Sequence, residues 1–218
     1  TYIAFIILSI LVIAGVVFIT EGERKIPVSY AKQVRGNKLY GGASTYLPLR
    51  VNQAGVIPII FAISFLLLPQ FLAQILSVIS PELSLTLNDF VTRAFNNVAL
   101  YSLLYFVLVV VFTYFYTAIT FDPEEISKNL QRSGGFIPGI RPGQATSDII
   151  GKTVRRITFF GALFLGIVAV LPNITQLLTG IQALTVGGTA LLIVVSVALE
   201  VMKQLESQLT VREYEGIL

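Results

Sequence analysis

The clearest candidate for specific chemistry is one short segment, residues 136–143, which reads Phe-Ile-Pro-Gly-Ile-Arg-Pro-Gly. A single arginine, Arg141, lies between two Pro-Gly pairs. Proline restricts φ and glycine permits tight turns, so the segment predicts a rigid finger with Arg141 at its tip. A guanidinium held in this way suits an acidic or phosphate-bearing partner. The alternative interpretation is a plain surface turn.

Catalytic chemistry finds little support in the sequence, which contains neither cysteine nor histidine. This composition excludes disulfides, thiolate nucleophiles, zinc fingers, axial histidines of haem and proton relays built on histidine. Proteolysis within a membrane by a Ser–His pair, a metal or an aspartyl dyad needs residues that are absent from the middle of every apolar run. We therefore expect no enzymatic activity and no cofactor.

The elements that carry these residues are marked by the distribution of charge. Residues 1–20, 51–81, 94–121 and 157–199 contain no Asp, Glu, Lys or Arg. A bilayer core about 30 Å thick needs roughly 20 apolar residues of helix, so each run is long enough to cross it and the last is long enough to cross twice. Hydrophobic residues make up 55% of the chain and charged residues 12%. We predict an all-α fold, a polytopic bundle of transmembrane helices.

Five spans are predicted, together with a polar hairpin over residues 172–187. The second span is unusual because it carries Pro58 and Pro69 inside it and begins with Asn52 and Gln53. The tail after the fifth span continues as an amphipathic helix towards Tyr214. The spans cover approximately residues 2–19, 52–76, 98–120, 157–176 and 188–202.

The orientation follows from the lysines and arginines of the loops. Residues 21–50 and 121–156 each hold six of them, whereas the two alternate loops hold only Arg93. The positive-inside rule therefore places both basic loops and the tail 203–218 in the cytoplasm, with Thr1 outside. Because no cleavable signal is recognisable at the start, we expect further spans to precede Thr1. Both basic loops are also longer than a helix connection needs.

An ion-coupled secondary transporter is the main alternative from these residues. Helices broken by proline can supply half-helix ends and free carbonyl groups for a site at the middle of the membrane, and the second span has this composition. Ion coupling usually leaves an ionisable residue within the membrane, and none lies near the centre of a predicted span. A third possibility is a purely structural scaffold subunit.

Four longer segments together resemble the SecY family, the channel subunit of the bacterial or plastid Sec translocon. The resemblance runs from end to end but covers only the C-terminal half of that family, its sixth to tenth spans. The segments are ERKIPVSYAK at residues 23–32, YLPLRVNQAGVIP at 46–58, GGFIPGIRPG at 134–143 and GGTALLIVV at 187–195.

The resemblance implies half of a pseudo-symmetric clamshell that forms a passive protein-conducting channel for secretion and membrane-protein insertion. It places the chain in the bacterial inner membrane, or in the thylakoid membrane if the protein is plastid. The partners that it implies are the N-terminal half of SecY, SecE and SecG, the SecA motor or the ribosome, signal sequences with the nascent polypeptide, and the lipid bilayer.

Particular residues take expected roles from the same resemblance. Ile60 and Ile193 match two positions of the apolar ring that narrows the pore, although ordinary packing in a span would be the preferred interpretation without the family. The second span matches a wall of the lateral gate, with Asn52 and Gln53 opening the helix and Ser64 along it. The residues expected to dock SecA or the ribosome are Arg24, Lys25, Lys32, Arg35, Lys38, Arg141 and Tyr214.

Overall fold

The computed structural model describes residues 10, 13–15, 17–30, 33–35, 38–40 and 44–179, with the single residues 194, 197, 198, 201, 202 and 205. Residues 13–15 and 17–21, at the end of the first predicted span, are helical. The elements that follow are β1 (Glu23–Tyr30), β2 (Gln33–Arg35), β3 (Lys38–Tyr40), β4 (Ser44–Arg50), α1 (Ile57–Ile79), α2 (Pro81–Asn96), α3 (Val98–Thr120), α4 (Pro123–Arg132), β5 (Gly135–Phe136) and α5 (Gln144–Thr179).

The chain divides into two compact units. The first takes Gly55–Phe112 together with the chain up to Phe18 and from Phe164 onward, and the second takes Ile19–Ala54 and Thr113–Leu163. The core of the first unit joins α1, α3 and α5 through buried side chains. Its fully enclosed members include Ile59 and Ala62 of α1, Val109 of α3 and Ala169 of α5.

Three helical segments of the described chain are long and apolar enough to cross a membrane. They are Ile57–Ile79, Val98–Arg132 and Gln144–Leu177. The first leaves large aromatic side chains, Phe61, Phe65 and Phe71, more than half exposed. An exposed apolar face of this kind requires lipid or another protein surface to cover it. The predicted polytopic helix bundle is therefore consistent with the exposed faces as well as with helix length.

Polar side chains mark where the helices start. Asn97 Oδ1 accepts hydrogen bonds from two backbone N–H groups in the first turn of α3, at 3.1 and 3.3 Å. Asp122 Oδ1 does the same for α4, at 2.8 and 3.3 Å, and Pro123 occupies the first helical position. Such caps satisfy N–H groups that the helix itself leaves without a partner. Asn97 thus caps α3 directly before Val98, the residue at which the predicted third span begins.

Two helix bounds differ from those predicted for the spans. The second was expected to start at Asn52 with Pro58 inside it, but α1 begins at Ile57 and Pro58 lies in its first turn. Gly55 has φ +60°, a left-handed conformation that a right-handed helix does not contain. In the first turn the missing N–H of proline has no helical acceptor to lose. Pro69 does lie inside the helix.

The fourth predicted span, 157–176, is part of a longer helix. α5 starts at Gln144 and ends at Thr179. The charged residues between 148 and 156 therefore lie within this helix. Pro172, which was expected to begin a polar hairpin, therefore lies inside α5. Apolar helices tolerate an internal proline when neighbouring groups bond the freed backbone. The rest of that hairpin, after residue 179, lies outside the described residues.

Candidate functional site

The two basic loops fold together into one small sheet. β1 and β4, both from the first loop, pair antiparallel, and β5 from the second loop pairs with the end of β1 at Ser29 and Tyr30. The strand order is β4-β1-β5, and β2 pairs separately with β3 as a hairpin. Sequence analysis predicted long, ordered loops but no sheet, so these strands are an addition to the predicted all-α fold.

A period of two in the sequence could have revealed β1. Ile26 and Val28 are buried, while Lys25 and Pro27, the residues directly before each of them, are exposed. Alternation of this kind is typical of a strand with one face on a core. The prolines hid the signal, since proline is usually depleted in strands.

The prolines fit the ladder because of its register. β1 and β4 carry one proline each within their pairing, Pro27 and Pro48. The Val51 N–H donates to the Gly22 carbonyl at 2.8 Å, just beyond the paired strands. Hydrogen-bonded and non-bonded pairs alternate in an antiparallel ladder, so counting from this bond puts both prolines at non-bonded pairs. Neither proline removes a hydrogen bond between β1 and β4.

The predicted finger at residues 136–143 begins with a hydrogen-bonded turn. The Ile140 N–H donates to the Ile137 carbonyl at 3.0 Å, with Pro138 and Gly139 at the centre of the turn. Gly139 has φ +81°, which matches the third position of a type II turn and favours glycine there. The turn delivers the chain directly to Arg141, whose side chain is exposed.

Three sets of contacts hold the finger in place. The Ser127 hydroxyl of α4 donates to the Gly143 carbonyl at 2.7 Å, and the Thr146 hydroxyl of α5 donates to the Arg141 carbonyl at 3.0 Å. Ile137 is buried in the core of the second unit and Ile140 packs against the same core. The backbone on both sides of Arg141 is therefore anchored, while its guanidinium has no ion-pair partner in the described part of the chain.

The second unit is strongly basic. It contains twelve of the fifteen lysine and arginine residues of the sequence and six of its twelve acidic residues. Its ion pairs among the described residues are Arg50 with Glu23 at 4.0 Å and Lys128 with Glu124 at 3.6 Å, both on exposed side chains. A surface with this excess of positive charge attracts an acidic partner and raises the rate at which that partner associates with it.

The other predicted docking residues fall into three sets. Arg24 and Lys25 lie on β1 with exposed side chains. Arg35 and Lys38 are paired opposite each other where β2 turns into β3. Lys32 and Tyr214 lie outside the described residues.

Ile60 and Ser64 share one face of α1, one helical turn apart. Ile60 is 46% exposed, whereas its neighbour Ile59 is 1% exposed and belongs to the core of the first unit. Ser64 is also exposed, and its hydroxyl donates to the Ile60 carbonyl at 2.8 Å. Both side chains thus point away from the packing within this chain. Ile193, the other predicted ring residue, lies outside the described residues.

Asn52 and Gln53 do not lie at the start of α1 as predicted, because α1 starts four residues after Gln53. They belong to the second unit, in the segment that follows β4. A Cβ placed on Gly161 of α5 would lie 2.7 Å from the Val51 carbonyl oxygen, so the helix approaches this segment at a glycine. The Gln53 Oε1 atom is buried and has no hydrogen-bond partner among the described residues.

Sequence analysis also missed α2 and the groove beside it. α2 packs against α1, and the Ser84 hydroxyl donates to the Ala73 carbonyl at 2.9 Å. The two helices enclose a groove of about 500 Å³ whose walls carry uncharged polar side chains, including Gln70, Gln74, Asn88 and Thr92. Pro81 was the available signal for a new helix start, since proline is favoured in the first turn of a helix and disfavours the helical conformation in the residue before it.

Comparison with known proteins places this arrangement in a family. The sequence model of the SecY family matches residues 1–202 of the chain. The Protein translocase subunit SecY of Mycobacterium bovis is 47% identical over 216 residues, which cover 96% of this chain and 49% of that protein. That of Thermus thermophilus is 47% identical over 218 residues, covering 100% and 48%. The chain belongs to the SecY family.

Solved structures agree on the SecY fold. Two are similar at a TM-score of 0.57 and 19% identity, covering 94% of this chain. One is described as a protein conducting channel, and the other concerns the plug domain of SecY and the closed state of the translocation channel. The chain spans about half the length of the SecY proteins that it matches. The predicted helical membrane fold of SecY is thus confirmed, with the small sheet as an addition.

Proposed function

We propose that this chain forms half of a passive protein-conducting channel for secretion and membrane-protein insertion, with no catalytic site of its own. The observation that carries the proposal is the match to the SecY family over residues 1–202, including relatives that are named as subunits of protein translocase. Among the described residues, the apolar stretches of α1 and α3 contain no charged side chain. A chain can pass an apolar constriction that excludes ions by dewetting, without any charged filter.

Ile60 supplies part of that constriction. Its side chain is half exposed within this chain, as are other large apolar side chains of α1, whereas that of the adjacent Ile59 is buried. Exposure of Ile60 supports a role at a surface that another part of the channel completes, namely the ring with Ile193 and the N-terminal half of SecY. Ser64, on the same face, lines the lateral gate through which signal sequences leave for the lipid.

The basic second unit receives the SecA motor or the ribosome. Arg141 is its central contact, because its backbone is anchored at both sides and its guanidinium is exposed without an ion pair in the described chain. A preorganised arginine loses less conformational entropy on binding than a free one. Arg24, Lys25, Lys32, Arg35 and Lys38 extend the same basic surface. SecE and SecG complete the membrane complex.

The secondary transporter remains the second candidate, and the polar groove between α1 and α2 is the observation that favours it. The groove could hold a small polar solute. Its lining residues include no acidic, lysine or arginine side chain, however, and ion coupling within a membrane usually depends on one. The channel therefore accounts for more of the structure.

Crosslinking of a secretory chain arrested in transit distinguishes these candidates. A cysteine replacing Ser64 should form a disulfide with a cysteine in the arrested chain, because Ser64 is exposed on α1. The control is Leu66→Cys, two residues along the same helix and buried in the core of the first unit. We expect an adduct at residue 64 and none at residue 66. Equal adducts at both, or none at either, would contradict a path along this face.

The orientation that we propose places the basic loops 21–50 and 121–156 in the cytoplasm and α2 on the opposite side of the membrane. Since this sequence has no cysteine, single thiols introduced into it report on it directly. Ser133 follows α4 and Asn88 lies on α2, and both are exposed. An impermeant maleimide should label Ser133→Cys only from the cytoplasmic side and Asn88→Cys only from the other. The reverse pattern would invert the topology.

A further inference from the structure

A second groove lies at the C-terminal end of α3, within the second unit. It has a volume of about 510 Å³ and is bounded by the last turns of α3, the start of α4 and one face of α5. The residues from α3 recur at helical spacing, as do those from α5, so each helix presents one continuous face to it. The lining residues used below are Tyr114, Ala118, Phe121, Gly151, Val154 and Arg155.

The groove changes character along its length. Tyr114 and Ala118 of α3, together with Phe121 directly after it, form an apolar and aromatic wall. Arg155 of α5 is exposed and is the charged residue of the lining. It lies two residues before the charge-free run that starts at Ile157. The groove therefore spans the boundary at which an apolar helix leaves the hydrocarbon core and meets the headgroup layer.

Arg155 is available to a ligand. It has no carboxylate within ion-pair distance in the described part of the chain. Asp122, next to the lining residues Phe121 and Pro123, turns its carboxylate to the backbone N–H groups that begin α4. The groove thus presents a guanidinium without an ion pair in the described chain at its polar end and an apolar wall beside it.

We propose that this groove binds one anionic phospholipid, with its phosphate on Arg155 and an acyl chain along Tyr114 and Ala118. Arginine recognises phosphate through paired N–H donors, and basic pockets between membrane helices select anionic headgroups. A free phosphate ion would leave the apolar wall without a partner, and a zwitterionic phospholipid would bring its own cationic group close to Arg155 together with its phosphate. The inference requires the helices to lie in a bilayer but does not depend on protein translocation.

Photolabelling tests the proposal on the protein purified with its partners and reconstituted in phosphatidylcholine nanodiscs. The probe is a phosphatidylglycerol with a photoreactive group on the upper part of an acyl chain. We expect labelled peptides that contain residues 114–121 and 151–158. Arg155→Gln should reduce this labelling about five-fold, as expected for one basic contact to an anionic headgroup. Arg156→Gln removes the same charge from the next residue, which does not line the groove, and should leave labelling unchanged.

A second pair of variants tests the apolar wall. Ala118→Trp fills the groove and should also lower labelling, whereas Ile119→Trp, at an exposed position outside the groove, should not. Equal losses from the two arginine variants would show general surface attraction and overturn the site. Equal labelling by a photoreactive phosphatidylcholine, or displacement of the probe by inorganic phosphate, would likewise overturn recognition of an anionic lipid.

Discussion

Ile60→Asn is expected to make the resting channel leak ions while the protein still assembles in the membrane. Ile60 points away from the packing within this chain and is 46% exposed. An asparagine there adds a donor and an acceptor to a constriction that excludes water, and it destabilises the dry, closed state more than the open state. A difference of about 1–2 kcal/mol increases the open population roughly 5–30-fold. The measurement is ion conductance of reconstituted channels without substrate, together with export of proteins that carry weakened signal sequences.

Ile59→Asn is the matched control for this variant. The two isoleucines are adjacent on α1, but Ile59 is 1% exposed and packs in the core of the first unit. A buried amide there has no hydrogen-bond partner, and it fills less of the space between its apolar neighbours than isoleucine does. Together these effects lower the free energy of unfolding by roughly 2–5 kcal/mol. Ile59→Asn should therefore reduce the amount of assembled protein. If Ile60→Asn channels are tight and select signal sequences normally, Ile60 does not belong to the pore.

Arg141→Glu is expected to weaken docking of SecA or the ribosome about 10- to 100-fold with normal assembly of the membrane complex. The change removes a charged hydrogen-bonding group and adds repulsion towards an acidic partner. Folding should be unaffected, because the side chain is exposed and the anchoring bonds use the backbone at Arg141 and Gly143. Binding to reconstituted channels and the rate of export of a secretory protein measure the two consequences.

Arg132→Glu distinguishes the effect of an arginine with an anchored backbone from the effect of net charge alone. Arg132 ends α4 in the same basic unit, is exposed, and has no ion pair in the described part of the chain. The variant makes the same change in net charge, and we expect it to alter docking by less than about three-fold, in the range of exposed single charges. A normal rate of export in Arg141→Glu would show that the finger is a plain surface turn. Equal docking defects in both variants would show that docking depends on net charge and not on Arg141 itself.

Much of this architecture could be predicted because its causes are local in sequence. A membrane helix satisfies its own backbone hydrogen bonds, so a charge-free run of sufficient length is almost enough to specify it. α3 begins and ends at the residues predicted for the third span. The turn before Arg141 could be predicted for the same reason, since Pro138 restricts φ and Gly139 permits a positive φ within one four-residue turn.

The helix ends were harder to predict because they depend on single backbone conformations. Asn52 and Gln53 were assigned to the gate helix, yet Gly55 in the left-handed region delays α1 to Ile57. The composition of residues 52–57 does not by itself distinguish a helix that starts at Asn52 from one that starts at Ile57. Pro172 is a second case. The composition around it favours the end of a helix, but Pro172 lies inside α5.

Contacts between distant segments were decided by the tertiary structure alone. β5 pairs with β1 across more than a hundred residues of sequence, and two strands from different loops carry no local signal that they will meet. The faces of α1 are a further case, because Ile59 and Ile60 are the same residue type one position apart. Only packing against α3 and α5 buries the first and leaves the second exposed. The sequence of an apolar helix is hydrophobic on every side, so its periodicity does not reveal which side faces protein, lipid or a pore.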